Sequence, residues 1–346
     1  PQPSPAGRGS NPGTKEIMNK PTILVVGGAG YIGSHMVLDL QRAGYPVVTL
    51  DNLSRGHQEL VPGGEFVAGD LGNPDDLERV FNAYPIKAVM HFAAHSLVGE
   101  SVEQPLVYYR NNVANTLTLL EAMQTAGVRH FIFSSTAAVY GEPVKTPITE
   151  DHPCAPTNPY GATKLAVERI LQDVSHASGM TYSILRYFNA AGADASGKVG
   201  ERHQPETHLI PLVLQVATGE RESIKIFGED YPTPDGTCLR DYIHVSDLTR
   251  AHLLALEALL AGGGNSTYNL GNSSGYSVRQ IIDTARAITG HAIPAEVAAR
   301  RAGDPAILIA DSSRIRADLG WQPRYENIED IIRSAWDWHQ QEAKGK

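Results

Sequence analysis

Cysteine is nearly absent from this sequence, which has only Cys154 and Cys238 among its 346 residues. Two distant cysteines exclude the dense disulfide framework of small secreted proteins, and they lack the Cys-x-x-Cys spacing typical of a structural zinc site. We therefore expect two free thiols in a reducing compartment, which favours a cytoplasmic protein.

The sequence also lacks an excess of basic charge and any long hydrophobic run. It has 29 Lys and Arg residues against 38 Asp and Glu residues, and the net charge of −9 opposes nonspecific binding to nucleic acid or anionic membranes. No segment approaches the ~18 consecutive apolar residues that a membrane span requires. We expect the partners to be small molecules, with no nucleic acid and no membrane among them.

The first residues of the chain lack apolar periodicity. Residues 1–17 are rich in Pro, Gly and Ser, and such a composition buries too little apolar surface to offset the entropy lost on ordering. We expect a flexible N-terminal extension over residues 1–20.

Short β-branched runs alternate with amphipathic helical patterns from residue 21 to residue 190. Parallel strands need right-handed helical crossovers, so this alternation predicts an α/β fold with a doubly wound parallel (Rossmann) sheet. Strands are predicted at 22–26, 47–50, 65–68, 88–92, 130–134 and 181–186, and helices include 74–83, 105–126 and 160–177. We expect residues 21–190 to form one domain built on this sheet.

Beyond residue 190 the pattern becomes irregular. Segments rich in glycine or proline at 228–236 and 261–265 separate shorter helical stretches. No repeat of fixed period is visible, which excludes solenoids and propellers. We expect residues 191–346 to form mainly a smaller C-terminal α/β domain that binds the substrate.

A glycine cluster follows the first predicted strand and opens a helix. Gly27, Gly30 and Gly33 allow a sharp turn and a close approach of the backbone to a pyrophosphate, whose charge the helix N-terminus receives. Asp51 ends the second predicted strand, where a carboxylate accepts hydrogen bonds from a ribose diol and repels a 2′-phosphate. The pattern predicts NAD rather than NADP, and we therefore expect residues 21–190 to be an NAD-binding Rossmann domain. Asp70 is compatible with two roles, an adenine contact and a helix N-cap.

Tyr160 and Lys164 are four residues apart at the start of a predicted helix, so their side chains share one face. A phenol with a pKa of ~10 is a poor base at neutral pH, and a neighbouring cation favours the phenolate. The preceding strand ends in Ser134, Ser135 and Thr136, whose hydroxyls we expect above a nicotinamide ring.

We predict no metal site. His91 and His95 follow a strand rather than share a helix, and they lack acidic or thiol neighbours at metal-ligand spacing. His203, Glu206 and His208 are expected to be ordinary loop residues.

From about residue 21 to residue 339 the chain resembles the extended short-chain dehydrogenases/reductases. Within that family it is similar to members that epimerise UDP-glucose and UDP-galactose at C4, through a 4-keto intermediate with transient reduction of tightly bound NAD. The resemblance implies an isomerase. It rests on segments such as GGAGYIGSH (27–35), LDNLSRG (50–56), FIFSSTAAVYG (131–141), NPYGATK (158–164), LRYFNAAG (185–192), LRDYIHVSDL (239–248) and RRAGDPA (300–306).

The residue pattern and the resemblance together imply the site residues. The catalytic set is Thr136, Tyr160 and Lys164. The positions that contact NAD are Gly27, Gly30, Tyr31, Ile32, Gly33, Asp51, Asn52, Asp70, Leu71, Phe92, Ala93, Ala94, Asn111, Ser134, Tyr160 and Lys164. The positions that contact the UDP-sugar are Thr136, Asn189, Leu209, Phe227, Arg240, Tyr242, Arg301, Asp304 and Leu308. Guanidinium groups suit a diphosphate, and a carboxylate suits a ribose.

Leu308 has a further implied role, because the family residue three positions before Asp311 controls access of N-acetylated sugars. A Tyr there excludes them and a small residue admits them. A leucine is intermediate in volume. The resemblance therefore implies a preference for UDP-glucose and UDP-galactose, with slow epimerisation of N-acetylated substrates.

Three other functions compete with this interpretation. A 4,6-dehydratase on the same scaffold uses carboxylates just after the hydroxyl residue, and Ala137 and Ala138 occupy those places here. A 4-epimerase of pentoses is another rival on the same scaffold. A noncatalytic NAD sensor needs the glycine cluster that binds the pyrophosphate. It does not need Thr136, Tyr160 and Lys164 together.

The resemblance also implies a homodimer formed by the helices at 105–126 and 160–177. Apolar Leu117, Leu120 and Val167 on these helices are equally compatible with the core of a monomer.

Overall fold

The structure is a computed structural model that describes residues 20–301 and 304–345. The predicted extension lies outside the described residues except for Lys20. The Lys20 ammonium lies 4.1 Å from the centre of the Tyr45 ring.

The protein alternates strands and helices along most of the described chain. The strands are β1 (Thr22–Val26), β2 (Val47–Asp51), β3 (Glu65–Ala68), β4 (Ile86–His91), β5 (His130–Thr136), β6 (Thr181–Tyr187), β7 (Asn189–Ala191), β8 (Ile224–Phe227), β9 (Leu239–His244), β10 (Ser266–Leu270), β11 (Gly275–Ser277), β12 (Ala295–Ala298) and β13 (Ile307–Leu308). The helices are α1 (Tyr31–Arg42), α2 (Pro74–Ala83), α3 (Val98–Glu103), α4 (Pro105–Tyr108), α5 (Asn115–Thr125), α6 (Pro159–Ser178), α7 (Leu209–Ala217), α8 (Val245–Leu260), α9 (Val278–Thr289), α10 (Ser313–Leu319) and α11 (Ile328–Gly345). Short 3₁₀ turns lie at Gln58–Leu60 and Ala137–Val139.

The main sheet has seven strands in the order β3-β2-β1-β4-β5-β6-β10, and every neighbouring pair is parallel. The strand order reverses beside β1, between β2 and β4. A reversal of this kind opens a ligand-binding crevice at the carboxyl ends of the strands. The predicted doubly wound parallel sheet is confirmed.

Alternating residues of the sheet fill two apolar layers. In β1, Ile23 and Val25 face a layer that includes α1 and α8, whereas Leu24 and Val26 face a layer that includes α2, α5 and α6. Because successive side chains of a strand point to opposite faces, a fully apolar strand needs helices on both sides. The buried run TILVV therefore specifies a central strand.

All six predicted strands are present; β1 and β3 have the predicted ends, and the ends of the other four shift by one or two residues. β4 begins at Ile86 rather than at 88, and β5 continues to Thr136. The seventh strand, β10, was not predicted and comes from the later part of the chain. It pairs only with β6, so it is an edge strand, and its run STYNL carries weaker apolar patterning than the central strands.

The helix predicted at 105–126 is one helical region of three parts. α4 leads into a π-helical turn at Tyr109–Ala114, and α5 continues the region to Thr125. A π turn holds an extra residue per turn and occurs frequently at functional sites. The sequence pattern shows the helical region but carries no signal for this insertion.

The later part of the chain adds smaller sheets beside the main one. β9 pairs with β7, β11 and β13, and β8 pairs with β12. A third apolar cluster joins α7, α9 and α11 to these strands. Since β10 lies in the main sheet and α8 packs against α1, the two parts share the central core. The domain boundary near residue 190 stays a prediction.

The cysteines and the helices can be compared with the expectations from composition. Cys154 and Cys238 both carry free thiols, as the sequence predicts. Within the described residues, a search for helices with the length and apolar character of a membrane span finds none.

Candidate active site

The glycine cluster after β1 forms a tight cradle that excludes side chains. Gly27 has a positive φ of 79°, and a Cβ there would lie 2.5 Å from the Ala93 backbone nitrogen. A Cβ on Gly33 would lie 2.1 Å from the Gly27 carbonyl oxygen. A Cβ on Gly30 would meet only that oxygen, at 3.4 Å, so Gly30 leaves the start of α1 open. The turn therefore needs glycine at Gly27 and Gly33 for packing.

The start of α1 and the end of β2 provide complementary groups for a dinucleotide. Gly30 is the N-cap of α1 and offers no side chain to the first-turn amides, which can receive an anion. The Asp51 carboxylate accepts the Ala29 N–H at 2.9 Å and the Leu53 N–H at 2.8 Å. Burial raises the pKa of Asp51, and these N–H groups oppose that rise. A cradle closed to Cβ atoms and a fixed carboxylate beside it fit NAD.

Asn52 and Asp70 form the outer rim of this cradle. The Asn52 amide donates to Asp70 at 2.6 Å, and the other Asp70 oxygen accepts the Gly72 N–H at 2.6 Å. The N-cap of α2 is Asn73, which accepts the Asp75 N–H. The N-cap alternative for Asp70 is therefore wrong. Its neighbour Leu71 is buried in the apolar layer of α2 and α5.

The loop after β4 closes the cradle from the other side. The N–H groups of Phe92 and Ala93 both donate to the Val26 carbonyl, at 2.8 and 3.1 Å, and Ala93 packs against Gly27. The Phe92 ring lies 5.1 Å from the His252 ring. Ala94 continues this loop and is half-buried.

Asn111 and Asn112 lie in the π turn. Asn111 donates to the Asn112 side chain at 2.9 Å. Asn112 is buried; it accepts the His95 N–H and donates to the Thr163 hydroxyl at 3.1 Å, so it ties the loop after β4 to α6. Sequence reasoning missed Asn112, and a polar residue on the inward face of a helix was the only available signal.

Tyr31 and Ile32 begin α1 but point away from each other. The Tyr31 hydroxyl donates to the Gly192 carbonyl at 2.6 Å, and the ring is buried. Ile32 packs against the apolar layer of α1 and α8. Tyr31 therefore links α1, the helix that follows the glycine cradle, to the chain after β7.

Tyr160 and Lys164 lie on α6, where both are almost completely buried. The exposed fraction is 8% for Tyr160 and 3% for Lys164. Asn158 caps the helix by accepting the Gly161 N–H, which sets the rotation of this first turn. The Lys164 ammonium donates to the Ser134 carbonyl at 2.8 Å. The predicted pair thus lies above the carboxyl end of β5.

Burial opposes charge on both members of the pair. It lowers the pKa of Lys164 to about 7, and Glu168 one turn further along α6 acts in the opposite direction. Burial also raises the pKa of the Tyr160 phenol, Tyr187 adds to the rise, and the Thr136 hydroxyl opposes it. Perturbed groups of this kind cluster at functional sites.

The three hydroxyls at the end of β5 take different directions. The Ser134 hydroxyl donates to the Tyr187 hydroxyl at 2.9 Å, and Thr136 accepts the Ala138 N–H at 3.1 Å. Ser135 instead donates to Glu168 at 2.5 Å. Because side chains alternate along a strand, the expectation that Ser135 joins the other two hydroxyls is wrong.

A buried ion pair that the sequence did not predict lies behind α6, the helix that carries Tyr160 and Lys164. Arg186 on β6 pairs with Glu168 and donates to the Tyr140 hydroxyl at 2.9 Å. The Tyr140 hydroxyl donates to Asn269 on β10 at 2.7 Å. The network joins α6, β6 and β10 beneath Lys164.

The predicted substrate residues gather around β9. Arg240 forms an ion pair with Asp304, and Leu308 on β13 stands opposite Arg240 in the strand register. The Arg301 guanidinium lies 3.9 Å from the centre of the Phe227 ring. The two groups of residues are linked by the Asp304 N–H, which donates to the Arg301 carbonyl at 3.4 Å.

The remaining predicted substrate positions lie on neighbouring elements. Asn189 on β7 donates to the Asp241 carbonyl at 2.9 Å. Tyr242 on β9 is buried in the third apolar cluster, against which Leu209 packs at the start of α7. Sequence reasoning missed Asp241, whose buried carboxylate accepts three backbone N–H groups, those of Asn272, Ser273 and Ala310.

Comparison with known proteins agrees with this geometry. Residues 23–271 match the NAD dependent epimerase/dehydratase family. The chain is 54% identical over 323 residues to a UDP-glucose 4-epimerase of Halalkalibacterium halodurans, with 93% of this chain and 97% of the relative covered.

Solved structures give the same result. A crystal structure of a UDP-glucose 4-epimerase is 56% identical, with a TM-score of 0.92 over 94% of this chain and 99% of that one. The UDP-glucose 4-epimerase of Bifidobacterium longum in complex with NAD⁺ and UDP is 40% identical, with a TM-score of 0.89 over 94% of this chain and 100% of that one. The chain belongs to the NAD dependent epimerase/dehydratase family, which confirms the resemblance seen in the sequence.

Proposed function

We propose that this protein interconverts UDP-glucose and UDP-galactose by inverting C4 of the sugar, with NAD as a tightly bound cofactor. One observation carries the proposal: the glycine cradle after β1 and the Tyr160–Lys164 pair lie at the carboxyl edge of the same parallel sheet. A dinucleotide held there brings its reactive end to the phenol. Relatives named UDP-glucose 4-epimerase, which cover nearly the whole chain, support the choice of sugar.

Tyr160 is the proposed acid and base. It takes the proton of the sugar 4-hydroxyl, and the Thr136 hydroxyl bridges the two oxygens. When bound, NAD supplies the acceptor and then the donor of the C4 hydride. The 4-keto sugar then rotates so that its opposite face accepts the hydride, and Tyr160 returns the proton to the C4 oxygen. The cycle has no net change of oxidation state, so the enzyme is an isomerase.

Lys164 is the proposed source of positive charge beside the phenolate. Burial alone disfavours the ionised phenol and the ammonium, but an ammonium next to a phenolate offsets part of that cost for both. Glu168 favours the protonated amine. The contact of Lys164 with the Ser134 carbonyl holds the amine at the end of β5.

The residues around β9 are the proposed anchor of the nucleotide. Arg240 and Arg301 suit a diphosphate, because a guanidinium presents several donors to phosphate oxygens. In this proposal, Asp304 positions Arg240 through their ion pair and also meets the ribose. An anchor on the nucleotide leaves the sugar free to rotate between the two faces that the reaction requires.

The same geometry disfavours the dehydratase alternative. Dehydration across C5 and C6 needs an additional acid and base. The two residues after Thr136 are Ala137 and Ala138, which begin a 3₁₀ turn and have no titratable group. A 4-epimerase of pentoses uses the same catalytic set. Comparing the turnover of a pentose UDP-sugar with that of UDP-galactose therefore distinguishes the two activities.

We also propose a homodimer formed through the helical region from α3 to α5. Six of the large apolar side chains exposed in the described chain lie there: Val98, Val102, Leu106, Val107, Tyr109 and Leu117. Leu106 is 80% exposed, and a contiguous exposed apolar surface favours association. Leu120 and Val167, by contrast, are buried in the apolar layer of α2, α5 and α6 and are not available to a partner.

The proposed location is a reducing compartment, with the cytoplasm as the simplest choice. The free thiols of Cys154 and Cys238 support it, because such compartments keep cysteines reduced.

The function is tested by incubating purified protein with UDP-galactose and no added cofactor, with products followed by proton NMR. The expected product is UDP-glucose. UDP-arabinopyranose in a parallel reaction tests the pentose alternative. Faster turnover of the pentose, or a dehydrated 4-keto-6-deoxy sugar as product, would overturn the assignment.

A further inference from the structure

Four potential metal ligands converge in the loop between β7 and α7, outside the proposed catalytic set. Glu201, His203, Glu206 and His208 each offer one ligand atom, and these atoms all lie within 4.8 Å of one another. The Nδ1 atoms of His203 and His208 lie 3.0 and 2.5 Å from the same Glu201 oxygen. Both imidazoles also lie close to Glu206, at 3.8 and 3.7 Å.

The negative charge of this cluster favours the binding of a cation. The Glu201 and Glu206 side chains are each only 7% exposed, and two carboxylates this close together repel each other. Two carboxylates and two neutral imidazoles carry a charge of −2, which one divalent ion balances. Protons on the imidazoles achieve the same balance through the observed hydrogen bonds, so metal and protons compete for the same atoms.

The ligand loop is held in place by contacts that do not use the ligand atoms. Arg202 pairs with Glu59 after β2 and with Glu342 on α11. The Glu201 carbonyl accepts the Trp338 indole N–H at 3.0 Å. These contacts fix the chain at Glu201 and Arg202, so the position of this part of the loop does not depend on an ion.

We propose that Glu201, His203, Glu206 and His208 bind one divalent transition metal ion. Two imidazole nitrogens and two carboxylate oxygens form a ligand set typical of zinc, whereas calcium and magnesium prefer oxygen alone. The sequence predicts these residues only as part of a loop, because the spacing E-x-H-x-x-E-x-H is not helical and their convergence depends on the loop path.

The position of the site indicates a structural role. The His203 ring lies 6.0 Å from the ring of Tyr31, which begins α1, and His208 directly precedes α7. An ion there would brace α1 against the start of α7. The proposal does not depend on the proposed reaction.

The test measures zinc in the untagged full-length protein. Wild type is titrated with Zn²⁺ against a competing chromophoric chelator, and its metal content after gel filtration is measured by mass spectrometry. We expect one zinc ion per chain. His203→Ala and the closely isosteric Glu201→Gln should each weaken zinc binding at least about tenfold, whereas His176→Ala, at an exposed histidine of α6, should leave zinc affinity unchanged.

Thermal unfolding provides a readout that does not depend on activity. Added Zn²⁺ should raise the Tm of wild type and of His176→Ala, because a ligand that binds the native state stabilises it, and should raise the Tm of His203→Ala less. Cobalt(II) in place of zinc should give the visible absorption of a four-coordinate site. Failure of wild type to bind zinc, or equal zinc affinities in wild type, His203→Ala and Glu201→Gln, would overturn the proposal.

Discussion

The Lys164 ammonium donates to the Ser134 carbonyl oxygen at 2.8 Å, which joins the first turns of α6 to the end of β5. The contact is buried, and Ser134 itself is fixed by the hydrogen bond between its hydroxyl and Tyr187. Because Tyr160 lies one helical turn before Lys164, the same contact sets the height of the phenol above the sheet. The proposed acid and base therefore sits on two rigid elements rather than on a loop.

Replacing Tyr160 with Phe should lower kcat at least ~10²-fold with little change in UDP affinity, because general acid and base catalysis contributes about this much. Turnover of UDP-galactose and binding of UDP by calorimetry measure the two quantities. Tyr187→Phe is the matched control, since it removes another buried hydroxyl beside Ser134; we expect less than ~10-fold loss. Equal losses in the two variants would contradict the role of Tyr160.

Lys164→Ala should shift the active range to higher pH. Without the neighbouring cation, the phenol pKa rises further above its ordinary value of ~10. A pH profile of kcat for wild type and variant measures the shift. An unchanged profile would show that Lys164 does not promote ionisation of Tyr160.

The protein should purify with NAD bound, because the Asp51 carboxylate repels a 2′-phosphate and a self-regenerating cycle needs no exchange. Acid release followed by chromatography identifies the nucleotide. Asp51→Asn should lower the fraction of chains that retain NAD, since it removes the charged acceptor beside the ribose. NADP as the main released species would contradict the cofactor assignment.

Leu308→Tyr should reduce epimerisation of UDP-N-acetylgalactosamine relative to that of UDP-galactose. Leu308 lies on β13 opposite Arg240 and packs against the cluster of Val139 and Tyr140. A bulkier ring there narrows the pocket, and such steric discrimination is worth about 1–3 kcal/mol. Wild type should use the N-acetylated sugar slowly. Equal kcat/KM for both sugars in wild type, or no loss in the variant, would show that Leu308 does not set this boundary.

Leu106→Glu should convert a dimer into a monomer, because it places a charge at the centre of the exposed apolar region. Light scattering at micromolar concentration measures the mass. Val144→Glu is the matched control: Val144 is 86% exposed but lies outside that region, and the mass should stay dimeric. A monomeric wild type would contradict the proposed dimer.

The sequence predicted the parts of the fold that follow from local pattern. β1 and α2 begin and end where expected, because a β-branched run between turn signals and a Pro-led amphipathic run are both strong signals. The glycine cradle and the Asp51 position also follow from local spacing. The sequence left open whether Asp70 caps α2, and the structure shows that Asn73 is the cap; the adenine contact of Asp70 stays a prediction.

The structural features that the sequence did not predict depend on contacts between residues far apart in the chain. The Tyr140 hydroxyl and Asn269 are 129 positions apart, and β10 reaches the main sheet from the later part of the chain. Ser135 differs from its neighbours because strand alternation turns it towards Glu168. Single-sequence patterns carry no information on such pairings, so the buried networks around Glu168 and Asp241 became visible only in three dimensions.

We infer that C4 is inverted by a hydride that never leaves the protein. UDP-galactose deuterated at C4 tests this inference when it is incubated with purified protein without added cofactor and the sugar is followed by NMR and mass spectrometry. We expect UDP-glucose that retains deuterium at C4, and Tyr160→Phe should form it at least ~10²-fold more slowly. Absence of UDP-glucose, or replacement of the deuterium by solvent hydrogen, would show that C4 is not inverted in this way.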